Sequence, residues 1–170
     1  MFPYGTSSMP VPGQATTPET ANAMLCQRVV PSYTLADIDT LDFVVTSLHS
    51  GSFCGMAIYA DGGGTRLATT DAVSTTANGI KSTAVTPFTL SEGTTYLYCW
   101  GCSTTNPALK GTADFSITGT TSDDDFLNAG VYTWGYVASS MTAGAPNSTV
   151  GALTTPPSTA GMAWMKARKE

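Results

Sequence analysis

The chain is poor in the groups that chemistry usually needs. Its 170 residues include one histidine and seven Lys plus Arg, and only 11% are charged, against about 25% in an average soluble domain. Active sites gather titratable groups in environments that shift their pKa values. A chain this short of them is expected to be a structural or binding module and not an enzyme. The net charge of −5 argues against a nucleic-acid partner, because phosphate contacts need clustered cations. The one basic cluster, Lys166, Arg168 and Lys169, reads as a solvated tail. No apolar run reaches the roughly 18 residues of a membrane-spanning helix, so no membrane partner is expected. Met1 to Thr6 lack the basic and apolar regions of a secretory signal. The expectation is synthesis in a cytoplasm, with lysis of an infected cell as a route out. On that basis the sequon Asn147-Ser148-Thr149 is read as a chance match.

Catalytic motifs are missing as well. There is no G-x-S-x-G elbow, no phosphate loop and no dinucleotide fingerprint. Gly62-Gly63-Gly64 follows one strand and precedes another, so it is a hairpin loop. The single histidine, His49, lies in a turn sequence, Leu48-His49-Ser50-Gly51-Ser52. Two acidic groups, Asp37 with Asp39 and Asp42, and Asp123-Asp124-Asp125, carry oxygens of the kind calcium takes. Neither follows the twelve-residue calcium-loop pattern, and both flank strands where acids commonly face solvent. No catalytic residue, metal or cofactor is assigned.

Cysteine is sparse: Cys26, Cys54, Cys99 and Cys102. The last two have CxxC spacing, but no second pair accompanies them. They sit in a strand-like run, where residues three apart point to opposite faces. The expectation is reduced structural thiols, ahead of a disulfide, with zinc or redox chemistry last.

What is abundant is threonine, 29 residues of it, within a chain that is 42% hydrophobic. A domain of this length buries roughly 70% of its unfolded surface. Residues 1–23 form an extended N-terminal arm in which Pro3, Pro10, Pro12 and Pro18 oppose regular structure. Residues 24–170 form one domain. Strand patterns recur at 24–30, 38–48, 53–60, 66–72, 80–90, 95–102, 113–118, 130–138 and 162–166. In the second, Leu41, Phe43 and Val45 share one face and Asp42 and Thr46 the other. Residues 53–60 are apolar on both faces, which marks a central, covered strand. Pro87 predicts an edge or a bulge. Residues 122–127 allow one helical turn at most. The loop-like stretch 139–160 returns to an apolar strand, which fits a Greek-key connection. The fold class is all-β, an antiparallel, jelly-roll-like sandwich.

Two aromatic stripes are the candidate binding residues: Tyr96, Tyr98 and Trp100 on one strand face, and Tyr132, Trp134 and Tyr136 on another. Such rings either stack on a glycan or fill a core or subunit interface, since each buries about 150–250 Å².

The run Pro31 to Cys102 resembles a β-sandwich module of bacteriophage structural proteins of the capsid-decoration, head-fibre and tail-fibre type. The residues that carry the resemblance are Ile38, Leu41 and Phe43, then Ala57-Ile58-Tyr59-Ala60-Asp61-Gly62 and Arg66-Leu67-Ala68-Thr69-Thr70. Gly79-Ile80-Lys81, Phe88-Thr89-Leu90-Ser91-Glu92-Gly93 and Thr95-Tyr96-Leu97-Tyr98-Cys99-Trp100 follow. They span somewhat under half the chain. The resemblance implies a virion location, a homotrimer, and contact with other virion proteins such as a major capsid or tail protein. The alternative is a lectin-like module that binds a host-surface glycan. The family supplies no catalytic residue. Residues 1–23 would be the anchor to the virion.

Overall fold

The computed structural model describes residues 14–18, 20–61, 64–111, 134–137, 141–151, 153, 163 and 165–169. Thirteen strands occur among them: β1 (Gln14–Thr16), β2 (Met24–Val29), β3 (Leu35–Ser47), β4 (Phe53–Ala60), β5 (Arg66–Thr69), β6 (Val73–Ser74), β7 (Gly79–Leu90), β8 (Tyr96–Cys102), β9 (Ala108–Gly111), β10 (Trp134–Val137), β11 (Met141–Thr142), β12 (Ala145–Pro146) and β13 (Lys166–Arg168). No helix occurs among the described residues. Residues 113–118 and 122–127 lie outside them.

All pairings are antiparallel and make two main sheets. The first runs β1-β9-β3, with β13 also paired to β3 and β7 paired along β3 as well. The second runs β10-β2-β8-β4-β5, with β6 also on β4. The chain passes repeatedly from one sheet to the other, so neighbours in a sheet are distant in sequence.

Period-two alternation places the core. On β3, Leu41, Phe43 and Val45 are buried against the second sheet, as their spacing predicts. They meet Leu25, Cys54, Met56, Ile58, Tyr96, Trp100 and Cys102 from the second sheet. Pro87 produces both expected effects. β7 pairs only with β3 among the described strands, and the register slips between Ile38↔Phe88 and Thr40↔Ala84.

β4 is buried on both faces from Cys54 to Tyr59, and the cover on its far side is this same chain. Met24, Cys26, Ala57, Tyr59, Leu97 and Cys99 point away from the first sheet and pack with Met141 and Val150. Residues 141–151 are thus a strap, a third layer over the second sheet, and more than the Greek-key loop expected of 139–160. Its hairpin β11–β12 turns at Ala143 (φ 49°) and Gly144 (φ 87°), the paired positive φ of a type I′ turn. The hairpin lies close because Gly55 and Gly101 face each other in register beneath it. A Cβ on Gly55 would stand 2.5 Å from the Gly144 oxygen and the Pro146 ring, and one on Gly101 would strike the Ala23 carbonyl and the Met141 sulfur.

Two expectations change at the ends of the chain. Gln14–Thr16 is an edge strand on β9, with Thr16 buried, so the sandwich begins within the segment expected to be an arm. The basic cluster is also no solvated tail. Lys166–Arg168 is a strand of the first sheet, held by register Lys166↔Asp42 and Arg168↔Thr40.

Candidate functional site

β8 is the centre of the second sheet, and alternation divides its residues. Tyr96, Tyr98, Trp100 and Cys102 face the first sheet, while Leu97, Cys99 and Gly101 face the strap. Tyr96 is 6% exposed and Trp100 2%. The Tyr96 hydroxyl accepts a hydrogen bond from the Ser91 amide at 2.9 Å. Burial pushes the Tyr98 phenol up to about 12, with neighbouring Tyr96 adding to it. Tyr96 and Trp100 are core and cannot stack on a sugar, and Tyr98 is half-buried against the same cluster. The second stripe is described in backbone only: Trp134–Val137 pairs with Met24–Gln27. Tyr132 and the side chains of Trp134 and Tyr136 lie outside the described residues.

The cysteines are paired, which overturns the expectation of reduced thiols. Cys26 is bonded to Cys99 and Cys54 to Cys102, each with Cα atoms 4.0 Å apart. Both bonds join residues directly opposite on neighbouring strands, β2 to β8 and β8 to β4. Opposite facing of residues three apart prevents Cys99 from reaching Cys102 and gives each a partner on a different strand. One bond lies under the strap and the other between the sheets. Four cysteines allow three connectivities. Alternation alone removes the one containing Cys99–Cys102; choosing between the other two requires the register of strands 48 and 73 residues apart.

Of the acids named as calcium candidates, Asp42 and Asp37 pair with the C-terminal residues Arg168 and Lys169. Arg168 donates to Asp42 at 2.7 Å and Lys169 to Asp37 at 3.1 Å, while Asp39 accepts from the Thr40 hydroxyl at 3.1 Å. Burial raises the Asp42 carboxyl, but hydrogen bonds from Arg168 and Ser82 and the charges of Arg168 and Lys166 outweigh it. The carboxyl ends below its ordinary value. Among the described residues no group of three or more His, Cys, Asp or Glu could hold a metal ion. Asp123, Asp124 and Asp125 lie outside them. His49 is a turn residue, as expected. Its amide donates to the Thr75 carbonyl at 3.0 Å, and its carbonyl accepts from the Thr75 hydroxyl at 3.1 Å.

The strap is tied by a set of polar contacts that the sequence pattern does not show. The Asn22 carbonyl accepts from the Met141 amide, and its side-chain oxygen accepts from the Gly144 amide at 3.2 Å. Tyr59 donates its hydroxyl to the Asn147 carbonyl at 2.8 Å. Arg66 reaches the Pro146 carbonyl through its guanidinium and the Ser148 carbonyl through its amide. Burial lifts the Tyr59 phenol to about 12, against the opposing charge of Arg66.

Among the described residues, the outer face of the first sheet is open to solvent. Ala15, Thr46, Ile80, Ser82, Ala84 and Thr86 are exposed there, with Ile80 70% accessible. Protein-family models, curated proteins and solved structures were all compared with the chain, and none matches.

Proposed function

We propose that this protein is a structural component of a bacteriophage virion: a β-sandwich subunit that decorates the capsid or forms a short head or tail appendage, with no enzymatic activity. The observation that carries the proposal is where the chemistry of the chain goes. The described aromatic stripe, the four cysteines and Asp37, Asp42, Arg168 and Lys169 all hold sheets or strands together. The outer face of the first sheet sets small uncharged side chains, among them Ala15, Thr46, Ser82, Ala84 and Thr86, around the charges of Asp42, Lys110, Lys166 and Arg168, of which Asp42 and Arg168 are already paired with each other. The resemblance over Pro31 to Cys102 supplies the virion setting, the homotrimer and the anchoring role of residues 1–23. The apolar outer face of β4 is covered by residues 141–151 of the same chain and is not free for a second copy. Association is then assigned to the outer face of the first sheet.

Immunogold labelling of density-banded particles, with antibody raised against the recombinant chain, tests the proposal. Regular labelling of one particle structure is the expected result. Label confined to the particle-free fraction would contradict it. Binding to a glycan array with no particle labelling would favour the adhesion reading.

A further inference from the structure

The two disulfides lie on opposite faces of one strand, under covers of different strength. Cys54–Cys102 belongs to the core between the sheets, beside Met56 and Trp100. Exposing it means parting the sheets, which is global unfolding. Cys26–Cys99 lies beneath the strap, grouped with Met24, Ala57, Tyr59, Leu97, Met141 and Val150. The strap contains two strands of two residues each, and one isolated bridge, Thr65↔Thr149, ties its far part to the sheet edge. Among the described residues its polar anchors are Asn22, Tyr59 and Arg66. A segment with so small an apolar footprint opens at lower free energy than the whole fold. All four cysteines are at most 1% exposed, so neither bond meets a solution thiol unless its cover moves.

We propose that Cys26–Cys99 is the exchange-competent disulfide of this protein. It opens and closes by thiol–disulfide exchange in the folded chain when residues 141–151 lift, whereas Cys54–Cys102 changes state only on global unfolding. In opening, a thiolate of a small dithiol attacks one cysteine sulfur and the Cys26–Cys99 bond breaks. A mixed disulfide forms, and the other cysteine leaves as a thiolate and takes up a proton. The second thiol of the reagent then displaces the first cysteine. The reagent ends as a cyclic disulfide, and its two electrons reside in two cysteine thiols. Closing uses a small disulfide such as oxidised glutathione as the oxidant, which accepts the two electrons and is released as two thiols. The consequence is an order of maturation. Cys54–Cys102 forms before the sheets close, and Cys26–Cys99 can be set afterwards, once the folded chain reaches an oxidising medium. The inference rests on the packing alone and not on the virion assignment.

The test treats the full oxidised chain with dithiothreitol in the absence of denaturant, quenches samples with iodoacetamide over time, and maps the labelled peptides. Cys26 and Cys99 should be alkylated about tenfold or more ahead of Cys54 and Cys102, as expected when opening is sub-global. Asn22→Ala removes the acceptor of the Gly144 amide and should speed labelling of Cys26 and Cys99 severalfold, leaving the other pair unchanged. Val150→Ala loosens the strap from its apolar side and gives the same readout should Asn22→Ala fail to fold. Equal rates for the two pairs, or earlier labelling of Cys54 and Cys102, would overturn the proposal. So would variants that speed both pairs alike, or two bonds that survive together until denaturant is added.

Discussion

Trp100 shows how burial decides between two roles for one residue. At 2% exposure, inside the cluster between the sheets, it contributes packing and no surface. Trp100→Ala should cost about 3–5 kcal/mol, the usual cost of emptying a buried tryptophan site, measured by denaturant unfolding. A change well below 1 kcal/mol would place the ring at the surface after all. Tyr59 and Tyr98 carry a pH signature of the same burial. Their phenols titrate near about 12 in the fold, against 10.0 ordinarily, so the native chain keeps these protons when the unfolded chain has released them. The stability they confer is fully present below pH 10 and is lost as pH rises from there through about 12. Ultraviolet titration should show Tyr59 and Tyr98 ionising late, in step with alkaline unfolding. All seven phenols of the chain titrating near 10 in a folded protein would contradict this.

At the scale of elements, Gly55 and Gly101 decide whether the strap can lie on the sheet. Gly101→Ala places a methyl group against the Ala23 carbonyl and the Met141 sulfur and should destabilise by about 1–3 kcal/mol. For a domain of this size that is a fall in Tm of roughly 2–4 °C per kcal/mol, read by calorimetry. An unchanged Tm would show that the strap stands off the sheet. The sequence carries some of these elements and not others, for physical reasons. Leu41, Phe43 and Val45 announce the core face of β3 because one of its faces is dry and the other wet. The two-sided apolar character of residues 53–60 announces a covered strand. It does not say what the cover is, because residues 141–151 add only Met141 and Val150 to the cluster and are otherwise held by main-chain carbonyls, by Asn22 and by two glycine gaps, none of which leaves a hydrophobic period. β6, β11 and β12 have two residues each, too few for a pattern to repeat. Gln14–Thr16 escapes because it lies between prolines that read as an arm. Lys166–Arg168 escapes because its charges suggest solvent, while their partners Asp37 and Asp42 lie more than 120 residues away in the chain.

For the whole molecule, β8 is the axis. It is bonded covalently to both neighbours, carries the inter-sheet core on one face and receives the strap on the other. Replacing either cysteine pair by alanine should cost about 2–5 kcal/mol, because each bond closes a long loop. The pair between the sheets should slow spontaneous unfolding more than the pair under the strap. Stopped-flow unfolding of the two double variants measures this, and identical unfolding rates would deny the two bonds their different positions. The central claim is that this chain is a sandwich stapled on both faces of one strand. Peptide mapping by mass spectrometry, on protein digested without reductant, tests it most directly. Two linked pairs are expected, Cys26 with Cys99 and Cys54 with Cys102. Four free thiols, or a link between Cys99 and Cys102, would contradict it.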